Sequence, residues 1–366
     1  MDGAGRGRRV TIADVAGRAQ VSTTAVSKVL RNAYGVSAAM RERVRAAIDE
    51  LGYRPRNAAR AMRGRTFTIG VLLPHINNPF FAEILDGLMA QLGGTDYQAI
   101  LVQGGRDPQG ESRAIDALVD RQVDGILMVV PLSSKSGLEE VAAGTPTVVL
   151  GPHERSAVYD CVNNDDEAGA ELAVEHLIAL GHRRIAHIAQ KDRNQGRPAT
   201  LLHTIREQTY RRVMAEHCLA GEISVATTSY TEAGGYTGAR ELLARVPRPT
   251  AIFAGADLAA FGALAAIHEA GLTVPADISL AGYDNTRAAG LAHLSLTSVD
   301  QDGAIMGRTA GRLLLERIEG RTTAVQFCVT PALVPRRSTA RAAGTRPRDS
   351  PVSLTQREEN RGKSAG

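Results

Sequence analysis

No stretch of this 366-residue chain is apolar for the about 18 residues that a membrane-spanning helix needs. The opening MDGAGRGRRV is basic, but no apolar segment of a secretion signal follows it, so a cytoplasmic location is expected. Cysteine is scarce. Cys161, Cys218 and Cys328 are odd in number, widely spaced and without a CxxC pair, which speaks for reduced thiols and against a disulfide framework. The nine histidines are scattered, with no HExxH and no His/Cys pair at zinc spacing, so no metal is expected. There is also no P-loop and no G-x-S-x-G elbow, and the glycine-bearing runs 3–7 and 104–108 lack the spacing of a phosphate cradle. A sugar kinase or a dehydrogenase is thereby left without its chemistry, and the chain reads as a non-enzyme with no cofactor.

What is present is an uneven charge on a chain long enough for two or three domains. Residues 1–65 carry 14 Arg and Lys against five acids, a net +9, while the remainder of the +4 chain sums to −5. A small basic module on a mildly acidic body points to a polyanion partner for the first part alone.

That module has helical periodicity. Ile12, Val15, Ala16 and Ala19 recur at i, i+3, i+4 and i+7 behind Thr11, a fitting N-cap with Asp14 in the first turn. A second short helix is expected from a Ser22 cap to about Leu30, burying Ala25, Val26, Val29 and Leu30. A third starts at a Ser37 cap, runs to Leu51, ends at Gly52 and is blocked from continuing by Pro55. Three short helices with a tight break between the first two describe a helix-turn-helix. The second has poor intrinsic helix propensity, with β-branched Val21, Thr23, Thr24, Val26 and Val29 among its residues. Its outward face (Thr23, Thr24, Ser27, Lys28 and Arg31) suits a major groove: short hydroxyls allow close approach, and the cations reach guanine or backbone.

V10-T-I-A-D-V-A-G-R-A-Q-V-S-T-T-A-V-S-K-V-L30, followed by Val36-Ser37 and L51-G-Y-R-P55, closely resembles the N-terminus of the LacI/GalR (lactose/galactose repressor) family. The resemblance runs to near residue 337. It implies that Thr23, Thr24 and Lys28 read bases and that Ser22, Ser27 and Arg31 hold phosphates of a near-palindromic double-stranded operator. Thr11, Ser37, Tyr53 and Arg56 complete the expected DNA contacts. It further implies that 55–65, R-N-A-A-R-A-M-R-G-R after Pro55, is a hinge helix entering the minor groove, with Met62 as the apolar wedge and Ala59 one turn earlier. Gln20 stands where the family usually has Gly, which costs on the order of 1 kcal/mol if its φ is positive.

From residue 66 the pattern alternates strands and helices, as in T66-F-T-I-G-V-L-L73, F80-F-A-E-I-L-D-G-L-M-A-Q-L92 and Y97-Q-A-I-L-V-Q103. The rhythm continues through 123–130, 184–189, 250–255 and 278–283, a doubly wound α/β pattern of two parallel-sheet subdomains of the periplasmic-binding-protein type. The expected organisation is a basic tail at 1–8, a helix-turn-helix domain at 9–54, the hinge helix, an effector-binding and dimerisation domain at 66–337 split near 164 and 293, and a disordered tail at 338–366. With no leucine heptad after Arg337, a homodimer is expected.

Ligands in such folds bind beyond the carboxyl ends of the strands. Asn78-Pro79 can open a helix, but two adjacent Phe at its start are not expected both to point inward, so Phe80 or Phe81 is read as a stacking surface for a sugar ring. The family resemblance assigns Arg206, Tyr230, Asp257, Asp284 and Gln301 to the effector. It also marks two polar positions as missing: Ala256 where the family often has Asn, and Gly151 where many sugar binders carry Asp. A small effector, sugar or sugar-like, is the expected ligand. The alternative is a non-regulatory sugar-binding protein, which the body alone would suit.

Overall fold

The computed structural model describes residues 10–30, 34–53, 65–105, 107–191 and 202–343. The basic tail, Arg31 and the hinge residues Arg56, Ala59 and Met62 lie outside the described residues.

Three helices form the N-terminal module: α1 (Ile12–Ala19), α2 (Thr23–Leu30) and α3 (Ala38–Leu51). Their starts are set by caps. Thr11 N donates to Asp14 Oδ2 at 2.7 Å and Asp14 N donates back to Thr11 Oγ1 at 3.4 Å, a capping box. Ser22 Oγ accepts from Ala25 N at 3.1 Å, and Ser37 Oγ from Met40 N at 3.3 Å. A cap contributes about 1 kcal/mol, but helices this short are not stable alone. Packing holds them: Val15, Ala16 and Ala19 meet Val26 and Val29 of α2, Val44 and Ala47 of α3, and Tyr53. Ala25 and Leu30 are only half-buried. Gln20 adopts φ 53° and ψ 48° between α1 and α2, so the left-handed turn is made without the glycine that would make it free of strain.

The body holds two six-stranded sheets. The first joins β1 (Thr68–Leu73), β2 (Gln98–Gln103), β3 (Gly125–Val129), β4 (Thr147–Leu150), β5 (Asp160–Asn164) and β11 (Gln326–Val329) in the order β2-β1-β3-β4-β5-β11, all parallel. The second joins β6 (Ile185–Gln190), β7 (Ser224–Thr228), β8 (Ala251–Ala254), β9 (Ser279–Asp284), β10 (Thr297–Asp300) and β12 (Ala332–Val334) in the order β7-β6-β8-β9-β10-β12. Only β12 runs antiparallel to its neighbour. β1, β3 and β4 are buried along their whole length, which is why they read as unbroken apolar runs. Helices α4 (Pro79–Leu92), α5 (Pro108–Asp120) and α6 (Lys135–Gly144) belong to the first subdomain. To the second belong α7 (Asp166–Ala179), α8 (Leu202–Glu216), α9 (Glu232–Leu243) and α10 (Asp257–Glu269). A last helix, α11 (Gly303–Ile318), returns to the first and lies against α4. That approach is close enough that a Cβ on Gly87 would collide with Ala304 O, and one on Gly307 with Ile84 O.

The chain passes between subdomains three times. The first passage is at 164–166. The second does not fall near 293: β10 pairs with β9 and stays in the second sheet, so the passage comes at 300–303. A third follows between β11 and β12. The body also extends past 337. Ser338 is buried, its Oγ accepting from Thr297 N at 2.7 Å and donating to Leu280 O at 2.6 Å. Ala340 N donates to Ser279 Oγ at 3.0 Å. These short polar residues look like tail in sequence because their partners are strand ends far away in the chain. From 344 the expected tail lies outside the described residues.

Candidate functional site

A cavity of about 230 Å³ lies between the subdomains, at the carboxyl ends of both sheets. His75 follows β1, Gly105 β2, Val130 and Leu132 β3, and Gly151 β4. From the other side come Gln190 after β6, Tyr230 after β7, Ala256 after β8, Asp284 at the end of β9 and Gln301 after β10. Both sheets have the strand order in which such crevices form at the topological switch point.

Arg206 of α8 organises the polar wall. It is 3% exposed. Its Nε donates to Asp166 Oδ1 at 2.8 Å, its Nη1 to Gly255 O at 2.7 Å, and its Nη2 to Gln301 Oε1 at 3.4 Å. The guanidinium lies 3.6 Å above the centroid of the Tyr283 ring. Burial works against its charge, but Asp166 beside it more than restores the balance and raises its pKa. Gln301 Nε2 in turn donates to Asp284 Oδ1 at 2.6 Å, and Asn164 Nδ2 donates to Tyr283 OH at 3.1 Å. Two atoms of this network, Asp284 Oδ2 and Asn164 Oδ1, and two others on the cavity, Tyr230 OH and Thr228 Oγ1, are buried with no hydrogen-bond partner among the described residues. Buried polar groups left this way cost on the order of 1–3 kcal/mol each, which a ligand that bonds to them recovers. Burial pushes the Asp284 carboxyl well above the usual range, with Asp257 and Asp166 adding to the effect while Arg206 and Asn78 oppose it. The Tyr230 hydroxyl is likewise raised by burial.

Asn78, Phe80, Phe81, Arg206, Tyr230, Asp284 and Gln301 all line the cavity. Two details differ. Phe80 and Phe81 are both buried, 7% and 8% exposed, and both belong to the first subdomain's core: Phe80 packs at the start of α11, Phe81 beside His75. The passage at 300–303 brings α11 over α4 and gives the second ring an inside to point to. Asp257, by contrast, does not line the cavity. From the first turn of α10 it faces inward, accepting from Thr286 N at 2.7 Å, Thr286 Oγ1 at 2.9 Å and Ser298 Oγ at 2.6 Å. Burial pushes it up to about 6. It is a brace between the turn after β9 and strand β10, and it is withdrawn from the ligand set. Asn164, Asp166 and Thr228 were missed by the sequence reading; an Asn or Asp at a strand end is too common a signal to single them out. Ala256 and Gly151 do line the cavity, so the two absent polar groups are absent from the site itself.

In the N-terminal module, Thr23, Thr24 and Lys28 are exposed on one face of α2, with Ser27 half-buried beside them. The Thr11, Ser22 and Ser37 hydroxyls cap α1, α2 and α3. Tyr53, expected on the DNA, is instead 8% exposed and packs into the three-helix core just past the end of α3. Among the described residues no helix is long and apolar enough to cross a membrane, and no group of His, Cys, Asp or Glu is placed to hold a metal.

A helix-turn-helix joined to a two-subdomain binding fold, with a polar network lining the cleft between the subdomains, defines a ligand-responsive DNA-binding protein. Residues 11–56 match the model for bacterial regulatory proteins of the lacI family, and residues 174–339 that for a periplasmic binding protein-like domain. The chain is 35% identical over 339 residues to the HTH-type transcriptional repressor PurR of Klebsiella pneumoniae, covering 90% of this chain and 97% of that protein. It superimposes on the transcriptional regulator CelR in complex with cellobiose (TM-score 0.65, 32% identity, 90% of this chain and 100% of that one). It also superimposes on the lac repressor dimer bound to operator and the anti-inducer ONPF (TM-score 0.77, 27% identity, 91% and 100%). The chain belongs to the lacI family of bacterial regulatory proteins.

Proposed function

We propose that this protein is a homodimeric transcriptional repressor whose hold on a near-palindromic operator is set by a small hydroxyl-bearing effector in the cavity between its subdomains. The observation that carries the reading is the set of four buried, unpartnered polar atoms around Arg206 and Gln301, positioned where the two sheets face each other. A ligand that bonds Asp284 and Asn164 ties β9 of one subdomain to β5 of the other, and so fixes their relative orientation. Arg287 already bridges the same two bodies outside the cleft, its N donating to Glu83 Oε1 at 3.1 Å and its Nη2 to Asp86 Oδ2 at 2.7 Å. Orientation of the first subdomain sets the spacing of the two chains' residues 55–65, and with it operator affinity. On the DNA, Thr23, Thr24 and Lys28 read bases while Ser22, Ser27 and Arg31 hold phosphates, and Met62 wedges the minor groove. The relatives named above, one solved with cellobiose and one with operator and an anti-inducer, support both halves of the reading.

The test is a thermal-shift screen of sugars, sugar phosphates and nucleosides, followed by operator binding with each hit. A ligand at 100 times its Kd stabilises the native protein by about 2.7 kcal/mol. The expected outcome is a hit that also changes operator affinity. A hit that leaves operator affinity unchanged refutes the coupling.

A further inference from the structure

The cavity lies at the carboxyl ends of the first sheet. A second polar cluster lies at the amino ends, where residues 55–65 give way to β1. Its centre is Asp124, the residue before β3. Asp124 Oδ1 accepts from Thr66 N at 2.7 Å and from Thr66 Oγ1 at 2.9 Å, and Oδ2 accepts from Phe67 N at 2.7 Å. Phe67 O accepts from Gln98 N at 2.9 Å, and the Phe67 ring tilts against that of Tyr97 with centroids 5.4 Å apart. Arg65 Nη2 donates to Ile318 O at 3.1 Å, the carbonyl of the last residue of α11, where a cation suits the helix end.

This is more than a strand start needs. Phe67 sits at φ 53°, in the left-handed region that a bulky residue rarely occupies. Such strain persists only where the surroundings over-determine the backbone, and it gathers where position matters. The Asp124 carboxylate, the Gln98 bond and the Tyr97 ring supply that over-determination, and together they fix the direction in which the chain enters β1. Rigid elements join this point to the cavity. β1 spans six residues, about 20 Å, before Pro74 and His75 line the cavity. β3 follows Asp124 and ends at Val129, which lines the cavity too. α11 begins beside Gln301, whose side chain bonds Arg206 and Asp284, and ends at the carbonyl that Arg65 holds. That end is fastened by the buried Asp160, which accepts from Arg317 Nη2 at 3.0 Å and from Arg321 Nη2 at 2.6 Å.

Resting on the effector reading above, we infer that Asp124 is a positioning residue for operator binding. With Phe67 and Arg65 it fixes how residues 55–65 join the body, so that a change of orientation made at the cleft reaches the DNA. When this junction is loosened, the cleft still binds its ligand, but binding there no longer alters the hold on DNA.

The test uses the full-length protein, a DNA duplex selected on it from a random-sequence library, and the compound of the thermal-shift screen that most changes this duplex's affinity. Asp124→Asn keeps the side chain's shape but turns an amide N–H toward a backbone N–H. Without DNA, the variant should bind the compound within about twofold of the native protein by calorimetry, since the cavity is remote. By fluorescence anisotropy, the compound's effect on duplex affinity should shrink by about fivefold or more. Phe67→Gly, which relieves the positive φ and removes only a partly exposed ring, should do the same, and it decides alone if Asp124→Asn does not fold. A brace of purely structural role would lower Tm and leave the compound's effect at its native size, and that result overturns the inference. Loss of compound binding in the folded variants overturns it as well, because the junction would then be part of the cleft's own stability. If no compound changes the native protein's hold on the duplex, the effector reading falls and the inference with it. If the native effect is present and the folded variants keep it in full, the effector reading stands and only the role of Asp124 falls.

Discussion

The guanidinium of Arg206 stacks 3.6 Å over the ring of Tyr283 while Asp166 Oδ1 holds its Nε at 2.8 Å and its Nη2 at 2.7 Å. Charge, ring and carboxylate are all buried, so none can leave without exposing the others' cost. Removing one partner of such a pair strands a buried charge, at about 3–5 kcal/mol, whereas removing both together costs less than the sum. Arg206→Met and Asp166→Leu should each lower the urea midpoint sharply, and the double variant should recover at least 1 kcal/mol of the summed loss. Strict additivity would show that the two do not act as a pair.

Asp284 joins the site to pH. Burial raises its carboxyl, so above the unfolded value of about 3.9 the native protein keeps a proton that the unfolded chain releases. Stability therefore falls as pH rises from about 4 toward the folded value. Asp257, pushed up to about 6, acts in the same sense over roughly pH 4 to 6. Asp284→Asn keeps an acceptor for Gln301 Nε2 and removes the titration. Its stability relative to the native protein should be higher at pH 7 than at pH 4, measured by urea unfolding, and it should lose the effector response at both. A difference constant across that range would mean that Asp284 is not held protonated.

His187 works in the opposite direction. It is fully buried, flanked by the rings of Tyr210 and Phe253, with Nδ1 donating to Phe253 O at 2.9 Å and Nε2 without a hydrogen-bond partner among the described residues. Burial lowers its pKa to about 3. Below about 6.5 the unfolded chain takes a proton that the native protein refuses, so stability is lost as pH falls, by about 2 kcal/mol at pH 5. His187→Phe, which keeps the stack, should flatten the acid side: the drop in Tm between pH 8 and pH 5 should be smaller than in the native protein. An unchanged drop would place the acid sensitivity elsewhere.

Much of the fold is readable from local signals, because local physics decides it. Thr11, Ser22 and Ser37 mark helix starts with side chains that bond within four residues, Gly52 ends a helix through its left-handed backbone, and the periods of Ile12 to Ala19 and Thr68 to Leu73 follow from one face or two faces being covered. What is not readable depends on distant partners. Asp257 carries the same carboxylate as Asp284, and only the positions of Thr286 and Ser298 turn it from ligand to brace. Tyr53 can be assigned to DNA or core only once α3 is placed. Asn164 and Asp166 become part of the site because the chain changes subdomain between them. The passage at 300–303 hides in sequence because β10 is four residues long, with no pattern that says which sheet it joins.

Gln20 is a place where the local rule is broken and the structure bears the strain. Its φ of 53° in the turn of the DNA-binding module is the conformation glycine supplies without a Cβ penalty. Gln20→Gly should stabilise the module by about 0.5–1 kcal/mol, read as slower amide exchange in α1 and α2 of the full-length protein. Its side chain is exposed, so nothing packed is lost. Faster exchange would show that the glutamine side chain holds the turn by other means.

Lys28 tests the proposed DNA-reading face most directly. It is exposed on α2, one turn from Thr24, while Val26 and Val29 hold the opposite side of the same helix in the core. Truncation should therefore leave the fold intact. A lysine that reaches a guanine edge contributes about 1–3 kcal/mol of discrimination, whereas one that reaches a phosphate contributes equally on any sequence. Lys28→Ala should weaken operator binding at least fivefold more than binding to random DNA, measured by fluorescence anisotropy at two salt concentrations. Equal loss on both DNAs, with a salt slope reduced by about one, would make Lys28 a phosphate contact and leave base reading to Thr23 and Thr24.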